Sequence, residues 1–401
     1  MTRSPLLDTP GAVGRLDPEA DPPDEGAEPA HPASSTADPD AAVPAHFGDP
    51  FAEQRALTRR AGVVDRSHRG VLVVPGADRL SWLHLLLSQQ VADLPLDTGT
   101  EGLVLDVSGR VEHHAVIAHV DGPEGPAVWL DVEPGTARAL LGYLDSMRFW
   151  SDVAPRDATD EFAVLSVLGP DTAEVLTAAG VPTPTGAPAG RSAAAPLPGG
   201  GVVRRARWDG VADAADLIVG RTDLLSWWER LRDAGAAPAG LDAYEAVRVA
   251  SLRPRLGRDT DPRTIPHEVG WIGAAVHLAK GCYRGQETVS RVANLGRPPR
   301  QMVLLHLASG DDPLPPAGTP VLAAEGGRAV GRIGTAVRHH ELGTVALALL
   351  KRSAVATAGP TAPPVWVDAP EFPGPASVDP DSVPPDSGEP PGRAAVRRLQ
   401  G

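Results

Sequence analysis

The sequence predicts an α+β chain, a mixed helix-and-strand body followed by a small C-terminal β-barrel. Three observations lead there. Helical and strand patterns interleave through residues 46–298 without the regular alternation of a doubly wound parallel sheet. After Gly296-Arg297-Pro298-Pro299-Arg300, only short strand patterns separated by turns remain, over residues 299–356. Both ends are rich in proline and acid and lack apolar periodicity, which predicts disordered tails at 1–45 and 357–401.

The elements follow in order. Val71-Leu72-Val73-Val74 before Pro75-Gly76 reads as a strand closed by a turn. From Arg79 to Leu94, Leu80, Leu83, Leu86, Leu87, Val91 and Leu94 recur at helical spacings, and Pro95 ends the pattern. Leu103-Val104-Leu105, Ser108-Gly109 and the apolar positions from Val111 to Val120 read as a hairpin. Ala163 to Leu168 is a strand leading through Gly169-Pro170 into a helix that starts at Asp171. Residues 181–201, rich in Pro, Ala and Gly, read as a long loop between two subdomains of the body. Helices follow at Thr222 to Ala234 and Asp242 to Leu252. In the last part, Met302 to Leu307, Pro320 to Ala323, Ala329 to Val337 and Gly343 to Leu350 supply the barrel strands.

Composition excludes several classes. One cysteine in 401 residues forms no intramolecular disulfide and no cysteine-rich zinc or iron–sulfur site. With 37 Lys and Arg against 51 Asp and Glu, the net charge of −14 argues against general nucleic-acid binding, which draws on cations that neutralise phosphate. The two tails hold ten of those fourteen excess negative charges. No apolar run approaches a membrane span and the first thirty residues lack a signal-peptide core, so the expected place is the cytoplasm, with no membrane partner. His113-His114 and His339-His340 lack acidic or cysteine partners at ligand spacing, so no metal site is expected.

The segment that carries chemistry is Lys280-Gly281-Cys282-Tyr283-Arg284-Gly285-Gln286-Glu287-Thr288-Val289-Ser290-Arg291. Gln286 to Ala293 is helical in pattern, which puts Cys282 in the loop before a helix N-terminus. Unpaired N–H groups there, with Lys280 and Arg284 nearby, favour a thiolate. A small, buried and inert turn residue is the alternative.

This motif resembles the signature of the YgfZ family, folate-binding proteins related to the glycine cleavage T-protein (aminomethyltransferase, GcvT-like). The match runs through Lys280, Gly281, Cys282, Tyr283, Gly285, Gln286, Glu287 and Arg291. Residues 61–70, Leu168-Gly169-Pro170, Ile265-Pro266-His267-Glu268 and Gly331-Arg332-Ile333-Gly334 extend the likeness over about residues 50–355. The resemblance implies mixed α/β folate-binding subdomains around a central cavity, tetrahydrofolate or another reduced folate as the cofactor, and iron–sulfur enzymes or assembly proteins as partners. It makes Cys282 a candidate redox or transfer thiol. For the folate it offers Glu268, Gln286 and Glu287 toward the pterin, Trp271 and Tyr283 as a slot, and Lys280, Arg284 and Arg291 toward the tail carboxylates, with Arg248 and Arg255 as further cations.

One departure bears on activity. Where the T-protein carries an acidic pair facing the folate, Gly109-Arg110-Val111-Glu112-His113-His114 places two histidines. Trp208 to Asp213 likewise departs from the pterin-binding turn. The reading is therefore an accessory folate-binding protein in iron–sulfur cluster assembly or repair. Its alternative is a one-carbon transferase or demethylase that uses His113 or His114 as its base.

Overall fold

The computed structural model describes residues 2–15, 38–206, 208, 210–308, 313–355, 363–371 and 373–383. Two short strands near the N-terminus, β1 (Val13–Gly14) and β2 (Pro44–His46), pair antiparallel. Helix α1 (Pro50–Arg59) follows, with Asp49 accepting hydrogen bonds from the amides of Phe51 and Ala52 and Pro50 in the first turn. Then come β3 (Gly62–Asp65), β4 (Gly70–Pro75), α2 (Arg79–Leu86), β5 (Thr98–Leu105), β6 (Val111–Gly122), β7 (Gly125–Val132), α3 (Ala137–Ser146), β8 (Arg156–Asp157), β9 (Phe162–Leu168) and α4 (Thr172–Ala178). The body closes with β10 (Ser192–Pro196), β11 (Val202–Ala206), β12 (Ala214–Gly220), α5 (Leu224–Asp233), β13 (Ala237–Ala239), α6 (Leu241–Ala250) and α7 (Gln286–Leu295).

Eleven of these strands form one sheet in the order β13-β3-β9-β12-β11-β10-β5-β6-β7-β4-β8. The sheet folds back on itself. Val71, Val73, Ala118, Val120 and Trp129 from one half pack against Val164, Val202 and Ile218 from the other. Burying both faces removes these β-branched side chains from water, at about 25 cal/mol per Å² of apolar surface. Outside this interface, α4 and α5 cover the β9–β12 half, and α2 and α3 cover the β5–β7 half.

The last six strands, β14 (Arg300–Leu307), β15 (Pro320–Leu322), β16 (Ala329–His339), β17 (Gly343–Lys351), β18 (Val365–Asp368) and β19 (Pro373–Val378), close a barrel, with the one-turn helix α8 (Arg352–Val355) between β17 and β18. Its own core contains Val303, Ile333 and Leu350. A second cluster, with Leu304, Leu347 and Leu349 packed on Val249, Trp271 and Leu103, ties the barrel to the body.

Four expectations change. The N-terminal tail is built into the fold where it is described: Leu6 sits in the apolar core and Val43 is buried. These few apolar side chains fill gaps in a surface already made, so no periodicity is needed to hold them. Residues 16–37 lie outside the described residues. Residues 363–371 and 373–383 complete the barrel, because Val365 and Val367 alternate inward and Ala376 joins them. Phe372 and residues 356–362 and 384–401 lie outside the described residues. The 181–201 loop contains β10, which pairs with β11 on one side and β5 on the other and so joins the two half-sheets. Its alanines fit a crowded two-sided position. The helix from Arg79 stops at Leu86, and Leu87, Val91 and Leu94 reach the same core from irregular chain.

Candidate functional site

A central cavity lies between the β3–β4 loop, β6, the end of β7, α6 and the loop after α6. Its free space is about 40 Å³, room for about three waters at ~10–15 Å³ each. Helix α6 brings Tyr244, Glu245 and Arg248 to it, at spacings that put the second and third on neighbouring helical turns. The β3–β4 loop brings Arg66, His68 and Arg69.

Nearly all of the lining charge is paired. Arg248 donates to Glu245 through Nε and Nη2 at 3.0 and 2.7 Å and to Asp259 at 2.8 Å. Glu133 accepts from Arg69 at 2.8 Å and from Arg255 at 2.9 Å. Arg204 bridges the two half-sheets, donating to Asp216 at 2.9 Å and to Asp131. Arg66 meets Asp216 at 3.3 Å and lies 4.4 Å over the Tyr244 ring. Burial works to raise the carboxylates, but the arginines overcome it: Arg204 and Arg66 bring Asp216 to about 2, and Arg248 and Arg255 bring Glu245 to about 2. Burial, joined by Asp216, pushes the Tyr244 hydroxyl up to about 12 despite Arg66.

His114 is one of two cavity imidazoles, the other being His68. The Nε2 of His114 lies 2.9 Å from Oε2 of Glu101, across the β5–β6 pair. Burial would raise Glu101, yet Arg253 at 2.8 Å and His114 hold it well below the ordinary carboxylate range. An ionised carboxylate only accepts, so Nε2 donates to Glu101. Trp271 stacks on the ring at 4.9 Å between centroids. His113, one residue earlier in the strand, points to the other face among Leu83, Val104 and Leu140, where burial lowers its pKa. Glu112 sits at a bulge between the Val104 and Leu105 pairings and turns outward to Arg284, 2.8 Å away.

The motif residues gather elsewhere. Cys282 is exposed. The Lys280 ammonium is buried and donates to the carbonyls of His84, Leu87 at 2.6 Å and Gln89 at 3.4 Å. Desolvation lowers it to about 8. Gln286 donates to the Lys280 carbonyl at 3.1 Å, and Tyr283 is part of the core beneath the barrel. Glu287 pairs with Arg291 along α7, both exposed. Glu268 accepts from Arg300 at 2.9 and 2.7 Å and from the Ile265 amide. Gly285 has φ +82, and a Cβ there would lie 2.5 Å from the Asp106 carbonyl, so the hairpin turn requires glycine. None of Lys280, Cys282, Tyr283, Arg284, Gln286, Glu287, Arg291 or Glu268 lines the cavity. Of the residues expected at the site, His114 lines it, as do Arg248 and Arg255, and Trp271 reaches it through His114.

Sequence reading missed Arg66, His68, Glu101, Glu133, Tyr244 and Glu245. The run Asp65-Arg66-Ser67-His68-Arg69-Gly70, polar between two apolar strands, was the signal available for the first two. Trp208 packs edge-on against Tyr244 at 5.1 Å, and Asp209 of the same turn lies outside the described residues. Among the described residues no group of three His, Cys, Asp or Glu side chains is arranged to hold a metal ion, and no helix is long and apolar enough to cross a membrane.

The chain is 25% identical over 311 residues to the aminomethyltransferase of Streptomyces avermitilis, covering 73% of this chain and 78% of that protein. It is 27% identical to that of Symbiobacterium thermophilum, over 73% and 79%. The aminomethyltransferase of Rubrobacter xylanophilus is 30% identical over 59% of this chain and 63% of its own. The crystal structure of glycine cleavage system aminomethyltransferase T from Bartonella henselae superimposes with a TM-score of 0.69 at 19% identity, covering 82% of this chain and 88% of that one. The likeness is one of fold, an α+β body with a large mixed sheet and a C-terminal barrel. Residues 42–280 match the family described as GCVT N-terminal domain, and the chain belongs to that family.

Proposed function

We propose that the chain binds a reduced folate at the central cavity and works in folate-dependent one-carbon transfer, with His114 as the base. The His114–Glu101 pair on the cavity wall carries this reading. Relatives named aminomethyltransferase support it over the iron–sulfur role. The donor chemistry suits a folate: Glu133 and Glu245 offer acceptors for ring N–H groups, Tyr244 and Val116 supply flat and apolar walls, and Arg253 and Arg255 face carboxylates. The free space of about 40 Å³ is small beside the ~300–1,000 Å³ of typical ligand pockets, so on this reading part of the wall moves when a folate binds.

A reduced folate would supply a nitrogen that accepts the one-carbon unit. His114 holds its proton on Nε2 against Glu101 and takes a substrate proton at Nδ1. The ionised Glu101 then stabilises the imidazolium, which a carboxylate does across 2.9 Å in a buried setting. His113 takes no part, since it faces the Leu83–Leu140 core. The test is titration with tetrahydrofolate together with turnover of a methylamine or aminomethyl donor. His114→Gln should lower turnover by ~10²–10⁴-fold and leave folate affinity within about threefold. Full turnover in that variant would overturn the assignment.

Exposed Cys282 supports a second reading, the YgfZ-like accessory role in iron–sulfur enzyme maintenance. On it, Cys282→Ala lowers iron–sulfur enzyme activity in cells and His114→Gln does not.

A further inference from the structure

Asp40 is a wall partner that comes from the N-terminal segment rather than from the sheet, from α6 or from the loops joined to them. Its side chain is fully buried. Its carboxylate accepts two bonds from Arg255, at 2.8 and 2.9 Å, and lies 3.1 Å from Arg258, 3.3 Å from His68 Nε2 and 3.3 Å from Arg15. Arg255 and His68 are both lining residues of the cavity. His68 Nδ1 is buried with no hydrogen-bond partner among the described residues. Bidentate pairing is the geometry with which an arginine receives a free carboxylate.

The segment that delivers Asp40 is held lightly. Residues 39–42 form one 3-10 turn capped by Asp38, and Asp40 is its only buried residue. Apolar anchoring begins at Val43 and continues through Ala45. Among the described residues, one backbone bond from Ser4 to the Ala42 carbonyl and the ion pairs of Asp38 and Asp40 secure it short of Val43. A segment kept by charge rather than by apolar burial is displaced by a competing anion.

We infer that Arg255, Arg258 and His68 form a carboxylate-binding site of the central cavity, filled by the chain's own Asp40, and that a ligand carboxylate enters by displacing residues 38–42. Their departure frees Arg255 and His68, both lining residues, for the ligand. The inference rests on the folate reading for the choice of probe, a tail carboxylate being the expected competitor.

The test is hydrogen exchange on the full-length protein, read at the Asp40 and Ala41 amides, which the capped turn protects. Saturating tetrahydrofolate should speed exchange there at least tenfold, and a tetrahydropterin lacking the glutamyl tail should not. Release by sarcosine but not by tetrahydrofolate would support the site with an amino-acid donor as its occupant. Asp40→Asn, which keeps the shape and removes the charge, should bind tetrahydrofolate about tenfold more tightly. If that variant does not fold, the wild-type exchange decides. Folate binding with exchange at 40 and 41 unchanged or slowed overturns the latch and leaves the folate reading standing. Absence of tetrahydrofolate binding to wild type and variant alike, with no release by sarcosine, overturns both.

Discussion

The Cys282 loop and the central cavity wall are both crowded with charge, but they use it differently. In the loop, Lys280 serves backbone carbonyls, Arg291 pairs one turn back with Glu287, and Gly285 permits a close approach to the 106–109 turn. These contacts shape a local fold and leave the thiol exposed. Around the cavity, Arg204, Arg248 and Arg255 each hold two or more carboxylates, Arg204 from two strands and Arg255 from Asp40 and Glu133, far along the chain. A charge buried in such a network costs several kcal/mol to desolvate and is tolerated only when fully paired. The difference teaches that a dense local motif can be architecture, while scattered charges gathered by folding make the cavity that a ligand would meet.

The sharpest break comes from Arg204→Ala. It leaves Asp131 with one arginine and strips Asp216 of its Nη2 and Nε donors, and should cost ~3–5 kcal/mol. Urea unfolding measures this, and a loss under 1 kcal/mol would mean the network is solvated. Next, His114→Gln should lower turnover by ~10²–10⁴-fold with an unchanged melting temperature, as for loss of a general base. An equal loss from His113→Gln would show that both faces of β6 serve the chemistry.

The same network predicts acid lability. Asp216 falls from its ordinary 3.8 to about 2 in the folded state, so the unfolded chain binds more protons between those values. Its stabilisation is full above about pH 4 and lost as pH falls through about 2, on the order of 2 kcal/mol. Glu101, Glu133 and Glu245 are shifted the same way and add to the drop. Unfolding at pH 7, 4 and 2.5 checks the sign; stability rising on acidification would refute it. Smallest of all, Cys282→Ala should change stability by less than about 0.5 kcal/mol, as for other exposed positions. Cavity affinity should hold within twofold, and a larger fall would merge the two regions into one site.

Much of the architecture was legible. Apolar alternation around β4, β5, β6 and β9 and the turn-punctuated strands after residue 300 were enough, because both patterns are local. The opposed faces of His113 and His114 also follow from strand geometry. The inserted strand β10 and the barrel strands β18 and β19 were not legible. The alanine- and proline-rich β10 and β19 state no preference of their own and pair only when an open sheet edge is present, and β18, Val365–Asp368, is too short to read as a strand among its flanking prolines.

The sequence alone determined the α+β class, the barrel at the C-terminal end, the single thiol and the adjacent histidines His113 and His114 on opposite faces of a strand. Only the tertiary structure decided which charges share a site. Asp40, Glu101, Glu133, Asp216 and Arg255 lie far apart along the chain, and nothing in their immediate neighbours distinguishes them from surface residues. Burial does: once the sheet folds back on itself, each must find a partner of opposite charge or the fold loses the several kcal/mol that an unpaired ion costs.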